Sequence, residues 1–147
     1  MKKQLTLTNL LLSLIALPLL CLAAFTYKQV QDQGYILDHE KDIKKEEPGS
    51  HNGGGNTTAF SFFSKDKTVQ MAFRKRILHP GSSIGYHLQK EQEIYYILAG
   101  NGILRMNDKD IPVTTGDAIL TKPGSSHGLK PAGNEDLTVL ITYDLKP

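Results

Sequence analysis

From Thr58 onward the apolar positions recur with the short period of strands rather than the longer one of helices. Thr58–Phe63 and Thr68–Leu78 are rich in aromatic and β-branched residues and are parted by Ser64-Lys65-Asp66-Lys67, which reads as a turn. His79-Pro80-Gly81 closes the second run. Further on, Glu93–Ala99, Ile103–Met106, Ile111–Val113 and Leu137–Tyr143 are strand-like, with turns predicted at Gly100-Asn101-Gly102 and at Asn107–Asp110. Short strands with a turn every few residues predict an antiparallel sandwich or barrel. The segment Glu93–Ala99 is apolar on both faces, because Tyr95 and Ile97 share the face of Glu93 while Ile94, Tyr96 and Leu98 form the other. One face then lines a barrel, and the other is free to pack on a second sheet or on another copy in a homodimer.

Before Thr58 the pattern changes twice. Met1-Lys2-Lys3 is followed by an apolar run from Leu10 to Leu20 and by the small residues Ala23 and Ala24, the three-part pattern of a secretory signal peptide over residues 1–24. Pro18 breaks the run short of the about 20 residues that a membrane span needs. Cys21 lies inside it, and retention of that cysteine with a lipid attached is the weaker alternative to cleavage near Ala24. The mature chain is then expected to be exported, periplasmic or secreted, with no thiol left. Residues 25–57 are polar and read as an N-terminal arm ending in the flexible Gly53-Gly54-Gly55 loop, with a short helix allowed between Asp38 and Glu47. Such an arm most often serves as a linker, but it can also cover a barrel mouth and bring His51 or Asn52 to a ligand.

The 147 residues suffice for one core. Setting aside Lys2 and Lys3, 15 basic residues face 15 acidic ones, which argues against a nucleic-acid partner or an anionic membrane surface beyond the leader. Arg74, Lys75 and Arg76 are adjacent, and a strand would divide them between its faces as a solvated end.

Chemistry concentrates in two stretches. Gly81–Gly100 holds His87, Gln89 and Glu93, with 87 and 89 on one face of a strand and Glu93 restarting an apolar run after a polar turn, so a hairpin would bring them together. Gly116–Gly128 places a turn, an apolar strand and a Pro-Gly turn before His127. Two imidazoles, a carboxylate and a carboxamide can converge, a set suited to a divalent transition metal with open positions. Each residue alone is more simply a packed histidine or a surface charge, and His79, before a proline, reads as an exposed loop residue.

The joint spacing resembles the two signature motifs of the cupin superfamily. Gly81, His87, Glu93 and Gly100 fall on the first motif, with Gln89 in place of its second His. Gly116, Gly124 and His127 fall on the second. Lys122, beside Pro123, stands where that motif has Pro, and Pro131 stands where it ends in Asn. The resemblance implies an all-β antiparallel double-stranded β-helix, a jelly-roll or cupin barrel over residues 58–147. It also implies a metal held by His87, Gln89, Glu93 and His127, with Fe, Mn, Ni, Co or Zn as candidates. Cupins include dioxygenases, decarboxylases, sugar isomerases, lyases and non-catalytic binders, so the implied partner is a small-molecule ligand without a settled reaction. An enzyme acting on a sugar acid or organic acid is the leading expectation and a binding or sensing module the alternative. In the former, Glu93 is the candidate catalytic residue for proton transfer, and Tyr95, Met106 and His51 are candidate pocket residues.

Overall fold

The structure, a computed structural model, describes Pro18 and residues 34–145. The expected leader over 1–24, with Cys21, lies outside the described residues apart from Pro18. Asp38–Pro147 forms one compact unit. It opens on a single helical turn, α1 (Glu40–Ile43), and continues as ten strands: β1 (Lys44–Gly49), β2 (Gly54–Phe62), β3 (Met71–Leu78), β4 (Ile84–Leu88), β5 (Glu93–Ala99), β6 (Asn101–Met106), β7 (Lys109–Thr114), β8 (Ala118–Thr121), β9 (Ser126–Pro131) and β10 (Leu137–Asp144).

The strands form a six-stranded sheet in the order β1-β2-β3-β10-β5-β8 and a four-stranded sheet in the order β4-β9-β6-β7. All pairings are antiparallel. From β3 to β10 the chain crosses between the sheets at every step except β6 to β7, which makes the antiparallel sandwich that the strand pattern predicts, of the all-β jelly-roll kind that the resemblance implies. Between the sheets lie Leu78, Ile97, Leu129, Leu137 and Val139, almost wholly shielded from solvent, with Ile84, Tyr95 and Leu104. Burying side chains of this size stabilises by about 1.5–3 kcal/mol each. On β5, Glu93, Tyr95 and Ile97 face this core, while Ile94, Tyr96 and Leu98 remain exposed on the outside.

Two sequence expectations are corrected here. Residues 44–57 are not arm or loop throughout, because Lys44–Gly49 is an edge strand paired with β2, which itself begins at Gly54. Polar side chains drive that pairing. Thr58 Oγ1 donates to the Glu46 carboxylate at 2.9 Å, Thr57 Oγ1 to the Glu47 carbonyl at 2.9 Å, and Arg76 Nη2 to Glu47 Oε1 at 2.5 Å. Pro48 is tolerated because the strand lies at a sheet edge. The helix expected between Asp38 and Glu47 shrinks to one turn, since the Asp38 carboxylate accepts from the Phe63 N–H at 2.6 Å instead of capping it.

Candidate metal centre

β4 and β9 are hydrogen-bonded neighbours in a register that sets His87 opposite His127. Glu93 does not join them through a hairpin, as the sequence suggested. It opens β5 in the opposite sheet, between Thr121 of β8 and Tyr143 of β10, and faces the two histidines across the interior. The polar link after β4 is long enough to cross between sheets. Gly81 and Gly124, at φ 84° and 87°, occupy turns where a residue bearing a Cβ would be strained, and these turns lead into β4 and β9.

One donor atom from each of His87, Glu93 and His127 lies within 4.8 Å of those of the other two. His127 and Glu93 are buried and His87 is partly so. The hydrogen-bond partners select the tautomers. Nδ1 of His87 is 2.8 Å from the Gly85 carbonyl, which can only accept, so Nδ1 carries the proton and Nε2 keeps its lone pair. Nδ1 of His127 lies 3.0 Å from Thr121 Oγ1, and donation to that hydroxyl again leaves Nε2 as the free donor. His127 Nε2 and Glu93 Oε2 then stand 3.0 Å apart without hydrogen-bonding geometry, and among the described residues neither has another partner.

A buried carboxylate oxygen and a buried imidazole nitrogen left unbonded at that distance are costly. Two donors at right angles on one metal, each about 2.1 Å from it, stand about 3.0 Å apart. The residues therefore fit a metal ion, which would meet lone pairs from His87, His127 and Glu93. Tyr95 supports the carboxylate. Burial of its phenol, followed by the neighbouring Glu93 charge, holds it well above its ordinary pKa and hence protonated, a donor beside that carboxylate.

Glu93, with Tyr95, lines a cavity of about 170 Å³ that also takes in Ser50, His51, Arg74, Arg76, Gln89 and Glu91, while His87 and His127 lie outside its lining. Gln89 is buried there, with its backbone tied to the β8–β9 link through Ser125 and Gly124. Met106 is elsewhere. It pairs in register with His127 but lines a separate groove beside Thr121, so it backs the site rather than the cavity. His51 stacks face to face on His87, with ring centroids 3.4 Å apart and planes 2° from parallel. Partial desolvation by the stacked ring, and then the neighbouring His87, push its pKa down although the residue stays exposed.

The two arginines were missed as site residues by reading the 74–76 triplet as a solvated end. Lys75 does point outward, over the Phe60 ring at 4.3 Å. Arg74 and Arg76 take the inward face with Ala72 and Leu78, a parity legible in the sequence. Arg76 is buried and held by Thr57 Oγ1 at 2.8 Å and by Glu47, whereas Arg74 lies over the Tyr143 ring at 5.4 Å and, among the described residues, has no carboxylate partner. His79 stays away from the cavity, bonded to Asp136 and Thr58.

Comparison with known proteins agrees with this architecture. Residues 75–143 match the family described as "Cupin domain". An "Oxalate-binding protein" of Thermotoga maritima is 39% identical over 114 residues, covering 75% of this chain and 94% of that protein. A crystal structure of a "predicted oxalate decarboxylase" from Thermotoga maritima superposes with TM-score 0.68 at 33% identity, covering 76% of this chain and all of that one. A polyketide cyclase from Streptomyces resistomycificus, 22% identical with TM-score 0.62 over 76% of this chain and 80% of its own, shares the fold alone.

Proposed function

Because the chain belongs to the cupin superfamily, we propose that it is an exported metal-binding cupin, an enzyme acting on a small organic acid. The unbonded pair of Glu93 Oε2 and His127 Nε2, beside His87, with Glu93 lining a cavity walled by Arg74 and Arg76, carries this reading. A divalent transition metal would be held by His87, Glu93 and His127, with Gln89 completing the set or turning its carboxamide to the ligand. Bound there, it would supply Lewis acidity toward a carboxylate oxygen.

The chain's own groups do the rest. Arg74 and Arg76 offer charge-assisted bonds to an anion. A cavity of about 170 Å³ suits a small diacid or sugar acid. Glu93 is the group that can take or return a proton if it leaves the metal, while Tyr95 holds its carboxylate in place. Iron, manganese, nickel, cobalt and zinc all suit this donor set.

The second reading is a module that holds the acid without turning it over. The 39% identical relative that is named a binding protein favours it. Elemental analysis of the purified protein, repeated on Glu93→Ala and His127→Ala, tests the centre: metal in the parent and none in the folded variants supports it, and a parent that takes up no transition metal refutes it. Titration with oxalate and sugar acids, followed by product assays with and without O₂, then separates enzyme from binder. Export rests on the leader pattern and is tested by the mass of the mature chain, in which loss of residues 1–24 is expected and a lipid on Cys21 would overturn the cleavage site. The exposed Ile94, Tyr96 and Leu98 support a homodimer through the outer face of β5, and a monomer in light scattering would exclude it.

A further inference from the structure

The turn between β1 and β2 holds two consecutive residues in the left-handed region, His51 and Asn52 at φ 52° and 60°, which residues with a Cβ enter uncommonly, His and Asn more readily than most. Such conformations persist only where the surroundings over-determine them. Here the surroundings are β4. The Gly85 N–H donates to the Ser50 carbonyl at 2.9 Å, Ser83 Oγ donates to the Gly53 carbonyl at 2.6 Å, and the Gly53 N–H closes the turn on Ser50 at 3.0 Å. A Cβ on Gly49 or Gly53 would run into the Ser83 carbonyl, and one on Gly85 into the His51 carbonyl, so the two segments meet backbone to backbone. What this contact delivers is one side chain, the exposed His51 imidazole laid flat on His87.

His87 needs such a neighbour. The one hydrogen bond that its ring makes among the described residues, from Nδ1 to Gly85, leaves the ring able to tilt about that bond, and His127 meets it only at 4.7 Å and 50°. A nitrogen donor binds metal in the plane of its ring, so tilt costs affinity. Gly85 links both restraints, because its N–H is bonded to the turn and its carbonyl to His87.

We propose that the β1–β2 turn is a clamp on the metal centre, in which His51 acts as a positioning residue that fixes the ring plane of His87 by stacking on its face. This rests on the metal-centre reading above. The test compares Co(II) affinity and the Co(II) visible spectrum in the full-length parent, His51→Ala, His51→Phe and His87→Ala, with circular dichroism to check the fold. His51→Ala is expected to weaken Co(II) about 10-fold and to shift its ligand-field bands, as loss of an outer partner does. His51→Phe, which keeps the ring face and removes both nitrogens, is expected to restore affinity and bands. Unchanged affinity and bands in His51→Ala would overturn the clamp, and so would a His51→Phe as weak as the alanine variant, since a nitrogen rather than the face would then matter. Binding by the parent but not by His87→Ala upholds the centre whichever way the His51 pair falls. A parent that binds no Co(II) sinks both.

Discussion

A histidine and carboxylate cluster lies at each end of the six-stranded sheet, one beside its own strands and the other shared with the facing sheet, and the two are chemically opposite. At the end where Thr138 pairs with both Ile77 and Ala99, His79 is bonded through Nδ1 to Asp136 at 2.9 Å and through Nε2 to Thr58 at 3.0 Å, and Thr58 in turn reaches Glu46. Both ring nitrogens of His79 have a protein partner there. At the end where Tyr143 pairs with Ala72 and Glu93, the donor atoms of Glu93 and His127 approach to the same distance and remain unbonded. Residue types alone would rank the two clusters alike. Satisfaction separates them: a network that completes its own hydrogen bonds is a structural tie, while one that leaves lone pairs converging in a buried place is built for something absent from the chain.

The sharpest way to break this contrast is to remove one donor from each cluster. Glu93→Ala should lower metal affinity by more than the roughly 10–100-fold that loss of an outer partner causes, whereas Asp136→Ala should leave it unchanged. Competition titration with a metal indicator reads both. Next in size is stabilisation by metal itself. At a free concentration 100 times Kd the parent should gain about 2.7 kcal/mol, seen as a rise in Tm that a chelator reverses. His79→Ala should keep that rise and Glu93→Ala should lose it. Thr121→Val, which deprives His127 Nδ1 of its partner, should weaken metal binding about 10-fold by the same titration while leaving the strand β8 intact.

The smallest effect belongs to the satisfied cluster and is a matter of pH. The ammonium of Lys44 first, and the Thr58 hydroxyl next, hold the Glu46 carboxyl below its usual range. A depressed folded pKa contributes stability above the unfolded value, and that contribution is lost as pH falls through the folded one. Glu46→Gln should therefore shallow the acid side of the denaturation profile, below about pH 4.5, without altering neutral stability beyond the lost pairing. An acid limb identical to that of the parent would remove Glu46 from the account.

Much of this was legible in the chain. The aromatic and β-branched runs parted by turn residues mark the strands, and the paired glycine and histidine spacings mark turns and donors together. Three things were not. β1 is polar, and a strand held by Glu46, Glu47 and their partners leaves no apolar signature to read. The route from His87 to Glu93 turns on whether a polar link folds back as a hairpin or crosses between sheets, which local sequence does not decide. The place of His51 depends on a backbone contact between Gly53 and Gly85, residues whose lack of a side chain shows where something approaches closely but not what approaches.

The donors come from both layers, Glu93 from one sheet and His87 and His127 from the other. An ion held by all three would act as a rivet through the sandwich, in a chain whose only cysteine is Cys21. Separation of the layers at that end and departure of the ion would then be one event. The ion's residence time becomes a clock for how often the sandwich breathes, and amide exchange at the starts of β5 and β9 should slow together on loading.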